Sequence, residues 1–266
     1  MDSGLDISLH GRRALVTGST QGIGKAIAIS YARAGATVDL VGRNEDGLRR
    51  VLGELPAPAG QRHGSVVADF ADWRSVERVS HEHVARSGPV HILVNNTGGP
   101  AAGLAIDARP EDYIAAMSMH IACFQALAQA CVLGMRDAGY GRIVNITSTS
   151  VVTPIKGLGV SNTVRAAVAN WTKSLATELG RFGITVNNIL PGFTKTARLD
   201  ALMKGKASRA GSSVDEVERE AMQTIPAGRF GTADEIAAVA LFLASPAASY
   251  VNGVNLPVDG GRLASQ

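Results

Sequence analysis

Short β-branched and apolar runs alternate along this chain with longer segments of helical period, and that alternation constrains the fold more than any other feature. A helix between two strands carries the chain back to the edge where it started, so the strands lie parallel. Strands are expected at residues 13–17, 37–41, 65–68, 92–95, 143–146, 185–189 and 254–257. Helices are expected at 23–34 with Gly35 as the stop, and at 73–86, 111–138, 164–180 and 233–244. The predicted class is α/β, a seven-stranded parallel sheet covered by helices on both faces. At 266 residues, with 45% hydrophobic and 18% charged side chains, one domain over 1–266 accommodates it.

The balance of 26 Lys and Arg against 23 Asp and Glu is interleaved along the chain, with no basic stripe to follow a phosphate backbone. Nucleic acid is not an expected partner. The opening residues 1–6 have neither the basic nor the apolar part of a secretory signal. The longest strongly apolar helical stretch is read at Ile236 to Ala244, too short to span a bilayer. A cytoplasmic protein without a membrane partner is therefore expected. Cys123 and Cys131, eight apart on one expected helix, read as reduced core thiols, and no metal-ligand spacing is present.

One segment breaks the rhythm. About thirty residues separate Pro191-Gly192 from the Ile225-Pro226 turn, an excess that reads as a substrate lid at about 193–225 or as a solvated excursion. Ser213 and Glu216 form a capping box before a helix at 214–222, preceded by Lys204, Lys206 and Arg209.

Gly18, Gly22 and Gly24 follow the first strand and open the first helix. Glycines there let the backbone approach a pyrophosphate, whose charge meets unpaired N–H groups and the positive end of the helix. The second strand ends Leu40-Val-Gly-Arg-Asn44, so Gly42 leaves room where Arg43 offers a planar fork to a 2′-phosphate. That favours NADP(H), with NAD(H) second. Asp39 is the competing acid, but it lies within the strand and not at its tip. Asp69 stands where it can accept from an adenine amine or close an Asx turn.

These residues, with Asn95-Asn-Thr-Gly98, Ser148, Pro191-Gly-Phe-Thr-Lys-Thr196 and Val258-Asp-Gly-Gly261, resemble the short-chain dehydrogenase/reductase superfamily over nearly the whole chain. The resemblance is strongest to its β-ketoacyl-acyl-carrier-protein reductase-like branch. It implies a Rossmann-type doubly wound sheet in a three-layer α/β/α sandwich. It also implies a dinucleotide held by Gly18, Ser19, Gln21, Gly22, Ile23, Gly24 and Arg43, by Asp69 and Phe70 at adenine, and by Asn96 and Gly98 beside the ribose. Pro191 and Gly192 are implied at the cofactor site too, with Thr194 and Thr196 near the carboxamide. A small carbonyl, alcohol or acyl-thioester substrate and a homodimer or homotetramer are implied too, the latter through the helices at 111–138 and 164–180 and the tail at 254–261.

The family's catalytic set is asparagine, serine, tyrosine and lysine. Ser148 matches its serine; the tyrosine position holds Ser161, the lysine position Arg165 and the asparagine position His120. No tyrosine occurs between Tyr140 and Tyr250. A serine is a weaker acid with a shorter reach than a phenol, and a guanidinium holds charge without passing protons. His120 is either a replacement proton source or a helix histidine satisfied by a backbone carbonyl. Ser148 is expected to polarise the substrate oxygen, with Ser161 and Arg165 one turn apart facing the cofactor. The expected activity is an NADP(H)-dependent oxidoreductase on C=O or CH–OH. The alternatives are a dinucleotide-binding sensor without catalysis, and a lyase or isomerase with His120 as base.

Overall fold

The computed structural model describes residues 5–263; residues 1–4, part of the opening segment read for a leader, lie outside the described residues. Among the described residues seven strands form one parallel sheet: β1 (Arg13–Thr17), β2 (Thr37–Gly42), β3 (Gly64–Val67), β4 (Ile92–Asn95), β5 (Gly141–Ile146), β6 (Ile184–Pro191) and β7 (Asn255–Val258). Their order is β3-β2-β1-β4-β5-β6-β7. Strands β4, β5 and β6 are buried along their whole length, as parallel strands covered on both faces must be.

The helices are α1 (Gly22–Arg33), α2 (Glu45–Glu54), α3 (Trp73–Ser87), α4 (Pro110–Met117), α5 (Cys123–Asp137), α6 (Gly159–Leu179), α7 (Ala197–Ala210), α8 (Val214–Gln223) and α9 (Ala233–Ala244). One core joins Ile27 and Tyr31 of α1, Leu48 of α2 and Ile236 and Leu243 of α9 to one face of the sheet. The other joins Val76 of α3, Phe124 and Leu127 of α5 and Val168 of α6 to the opposite face. This is the parallel sheet covered on both faces that the alternation predicts, in the doubly wound order that the resemblance implies.

Four expectations need correction. Helix α2 was not foreseen, although Asn44 caps it by accepting from Gly47 N–H and Leu48 and Val51 bury its inner face. Helix α7 was not foreseen either, so Lys204, Lys206 and Arg209 sit on a helix. Helix α6 begins five residues before the expected start, which brings Ser161 into its first turn. The single helix expected at 111–138 is divided by a π-helical turn, Ser118–Ala122, where one extra residue per turn shifts the faces of α4 and α5.

The apolar stretch also needs restating. Pro110–Asp137, 28 residues, is long and apolar enough to cross a bilayer by length and composition, and half of its most apolar window is buried inside the protein. Phe124, Leu127 and Met135 on it pack into the core, as a core helix requires.

A buried chain of side-chain hydrogen bonds sets α6 against the sheet. Asn95 donates to Asn145 (2.8 Å), Asn145 to Thr172 (2.8 Å), Thr172 to Asn188 (2.8 Å) and Asn188 to Asn255 (2.7 Å). Polar groups this deep are stable only when partnered, and the partnering ties β4, β5, β6 and β7 to one helix.

Candidate active site

The strand order reverses between β1 and β4, the switch point at which open parallel sheets leave a crevice beyond the strands' carboxyl ends. The loop after β1 turns at Gly18, φ +58°, and at Gly22, φ +54°, conformations that a side chain would strain. Asn96 fastens it, donating from Nδ2 to the carbonyls of Thr17 (3.3 Å) and Gly18 (3.2 Å), while Thr17 Oγ1 donates to Asn96 O (2.8 Å). A Cβ on Gly24 would collide with the Gly18 carbonyl, so this glycine is what lets helix and loop close up.

The start of α1 differs from other helix starts in the chain. Gln21 supplies no side-chain cap, whereas Asn44, Asp72, Ser213 and Thr232 cap α2, α3, α8 and α9. Among the described residues no side chain therefore caps its first amides, the arrangement that takes a phosphate. Thr196 stands over this loop, its methyl 3.4 Å from where a Gly22 Cβ would be. Around a Gly98 Cβ there is open space, so no neighbour in the protein accounts for glycine at that position. These features fit a dinucleotide.

Other expected contacts separate into those that face the crevice and those used within the protein. Arg43 is exposed at the tip of β2, beside Gly42, where a Cβ would press on Thr20 and Leu48. Asp39 is withdrawn: 2% exposed, 2.8 Å from Arg13 and 3.0 Å from His83. Burial pushes its carboxyl upward, but His83 and Arg13 hold it below the ordinary range. Asp69 is exposed and accepts from Ala71 N–H (3.0 Å), an Asx turn. The side chain of Phe70 is in the core, edge-on to Phe124 at 6.5 Å, so only its backbone is left for adenine. Ser19 is buried and donates to Val41 O (3.2 Å), and Ile23 is half-buried against the core. Pro191 ends β6, and Gly192 abuts Asp259 too closely for a side chain. Thr194 is buried and donates to Gly192 O (3.3 Å), while Thr196 caps α7 through Leu199 N–H (3.4 Å).

The reacting groups gather where β5 ends and α6 begins. Ser148 Oγ accepts from Ser150 N–H (3.1 Å), which orients the side chain and leaves its hydrogen free to donate. Arg165 donates from Nε to Ser161 Oγ (3.2 Å) and from Nη1 to the carbonyls of Ile146 (3.2 Å) and Thr147 (2.8 Å). Its guanidinium is thus fastened to the strand end, with Nη2 directed toward Gly99. Burial, and then the charge of Arg198, lower its pKa to about 10, so it stays a cation at neutral pH.

His120 departs from the proton-source expectation. It lies on the π-helical turn, 1% exposed, with Nδ1 2.9 Å from Ala116 O. A carbonyl only accepts, so Nδ1 carries the hydrogen and Nε2 is a bare acceptor, and that buried atom has no partner. Burial and then the Arg165 charge lower its pKa to about 4, leaving the ring neutral and unable to supply a proton at neutral pH.

No described tyrosine fills the vacated position. Tyr31 and Tyr140 donate to Ala240 and Ala244 across the core, Tyr113 donates to Ala105 O, and Tyr250 is fully exposed. Cys123 and Cys131 are buried and unbridged, their thiols pushed up to about 12, chiefly by burial. Among the described residues no group of three or more His, Cys, Asp or Glu is placed to hold a metal. The residue missed by sequence reading is Arg198, on the first turn of α7, which donates to Pro100 O (2.8 Å) across the crevice.

A glycine-lined, uncapped helix start at the switch point of a parallel sheet defines a Rossmann-type α/β protein. The family model described as "Enoyl-(Acyl carrier protein) reductase" matches residues 18–262. The chain belongs to the short-chain dehydrogenase/reductase family, in its 3-oxoacyl-acyl-carrier-protein reductase-like branch. It is 35% identical to the 3-oxoacyl-acyl-carrier-protein reductase FabG of Pseudomonas aeruginosa, over 97% of this chain and 100% of that one. Among solved structures it resembles a Beutenbergia cavernae protein described as an NAD(P)-dependent gluconate 5-dehydrogenase and containing NADP, with TM-score 0.88, 38% identity and coverage of 97% and 99%. It also resembles L-sorbose reductase of Gluconobacter frateurii, solved with NADPH and L-sorbose, with TM-score 0.90, 32% identity and coverage of 97% and 98%.

Proposed function

We propose that the chain is an NADP(H)-dependent oxidoreductase, 3-oxoacyl-acyl-carrier-protein reductase-like, that reduces a carbonyl or oxidises the corresponding alcohol without the family's phenol and lysine. The observation that carries this reading is Arg165, fastened to the end of β5 with its free Nη2 toward the crevice beside Ser148 and Ser161. The Gly18 loop, the open amides of α1, Asn96 and Thr196 would hold the dinucleotide, and Arg43 would select the 2′-phosphate over NAD(H). When bound, the reduced cofactor supplies the hydride.

The chain's own groups act on the substrate oxygen. Ser148 donates to it, and the Arg165 charge stabilises the negative charge that develops there. Ser161 accepts from Arg165 Nε, which makes its hydroxyl a better donor than an isolated serine, and it passes its proton to the alkoxide and is replenished from water. Replacing a tuned phenol this way predicts turnover slower by about 10²- to 10⁴-fold than a site with a positioned general acid.

The single domain spans 1–266, and α7 with α8 forms the lid, its own small core built from Leu199, Met203, Val217 and Phe230. Exposed Ile114 and Leu133 suit α4 and α5 to a homodimer or homotetramer interface in a cytoplasmic enzyme acting on a small carbonyl or acyl thioester. The test is oxidation of NADPH over a panel of ketoesters, diketones, quinones, acyl thioesters and oxo acids. Turnover that falls about 10²-fold or more in Ser148→Ala supports the reading. Tight NADPH binding with no oxidation across the panel overturns it in favour of a dinucleotide-binding sensor, and substrate conversion without a change in nicotinamide absorbance favours the lyase or isomerase.

A further inference from the structure

Two guanidinium groups converge on one spot of the crevice with no acid to answer them. A Cβ on Gly99 would lie 3.3 Å from Arg165 Nη2 and 3.3 Å from Arg198 Nη2. Arg198 reaches there from α7 by donating to Pro100 O (2.8 Å). Among the described residues neither arginine has a carboxylate partner, and the charge that acts on Arg165 is the like charge of Arg198. Like charges held this close, Arg165 half-buried and Arg198 exposed, oppose each other until an anion lies between them.

We infer that the substrate carries a carboxylate, held between Arg165 Nη2 and Arg198: an oxo acid and not a neutral ketone. The inference rests on the reductase reading for the hydride chemistry and on this cluster alone for the acid. A guanidinium pair suits a carboxylate because each presents N–H groups in the plane where carboxylate oxygens accept. Glycine at position 99 leaves the space between them, since a Cβ would occupy the point on which both converge. Arg165 acts on both parts of the substrate, its charge at the developing oxyanion and its Nη2 at the acid.

Equilibrium binding tests this apart from turnover. Malonate and dimethyl malonate, neither of which can be reduced, are titrated by fluorescence onto the protein with and without saturating NADPH. Wild type is expected to bind malonate and to ignore the diester. Arg198→Gln is expected to weaken malonate about 10- to 100-fold, and Arg198→Lys less. In parallel, the preference in kcat/KM for oxo acids over their methyl esters is expected to collapse in Arg198→Gln through KM. Equal binding of acid and diester by wild type, or an Arg198→Gln variant that binds malonate as before, overturns the inference. Failure to bind NADPH sinks the reductase reading instead, and malonate titrated onto the nucleotide-free protein still decides this one.

Discussion

At the scale of single residues, charge decides the outcome at two positions. Arg43 is exposed at a strand tip with no salt bridge among the described residues, and Arg43→Ala should weaken NADPH about 10- to 100-fold while leaving NADH nearly as before. Titrations of both nucleotides check it, and equal losses would contradict the 2′-phosphate role. His120 makes a prediction about pH. Its folded pKa of about 4 lies below the ordinary histidine value, so the unfolded chain takes up a proton that the folded one refuses. Stability from this group is complete above about pH 6.5 and is lost as pH falls toward 4, with a slope of up to about 1.4 kcal/mol per pH unit. Urea unfolding of His120→Asn between pH 7 and 4 should show a shallower decline than wild type; parallel curves would mean the ring titrates normally. The chemical types at 148, 161 and 165 were legible in the sequence. The bare Nε2 of His120 was not, because its direction is set by a π-helical turn that no periodicity announces.

At the scale of elements, the parts that read well are those whose signals are local. Strand β1, strand β4 and helix α9 fall where the apolar pattern puts them, and Thr232 with Glu235 caps α9 as a capping box. Helix α2 carried its own signs, Asn44 as cap and Glu45 and Asp46 in the first turn, but only Leu48 and Val51 mark its buried stripe. Helix α7 had Thr196 as cap and Gly211 as its left-handed stop, signs outweighed by its lysines and small residues. Arg198 could not be read at all, since its partner Pro100 is 98 residues away. Two substitutions test how elements position the site. Gly24→Ala places a methyl against the Gly18 carbonyl, so it should cost about 1–3 kcal/mol and abolish NADPH binding. Asn145→Ala cuts the chain from Asn95 to Thr172, leaves buried polar groups unpartnered, and should cost about 1–3 kcal/mol by denaturant unfolding. A fully stable Asn145→Ala protein would show that α6 is held by packing alone.

At the scale of the whole molecule, the proposed function needs the nucleotide loop and the Ser148, Ser161 and Arg165 group to work together across the sheet. A ligand that binds only the folded chain stabilises it by mass action, so NADPH at a hundredfold its Kd should add about 2.7 kcal/mol to unfolding, and NADH at the same concentration much less. The exposed apolar side chains on α4 and α5 predict sedimentation at a multiple of the chain's mass, and a monomer at micromolar concentration would remove the proposed interface. The most direct test of the central claim follows the hydride itself. NADPH deuterated at nicotinamide C4 is incubated with the protein and the carbonyl panel, and the products are examined by mass spectrometry. One deuterium is expected on the former carbonyl carbon of at least one product, with its yield reduced about 10²-fold or more in Ser148→Ala; firmly bound NADPH that retains its deuterium throughout the panel would contradict the reductase reading.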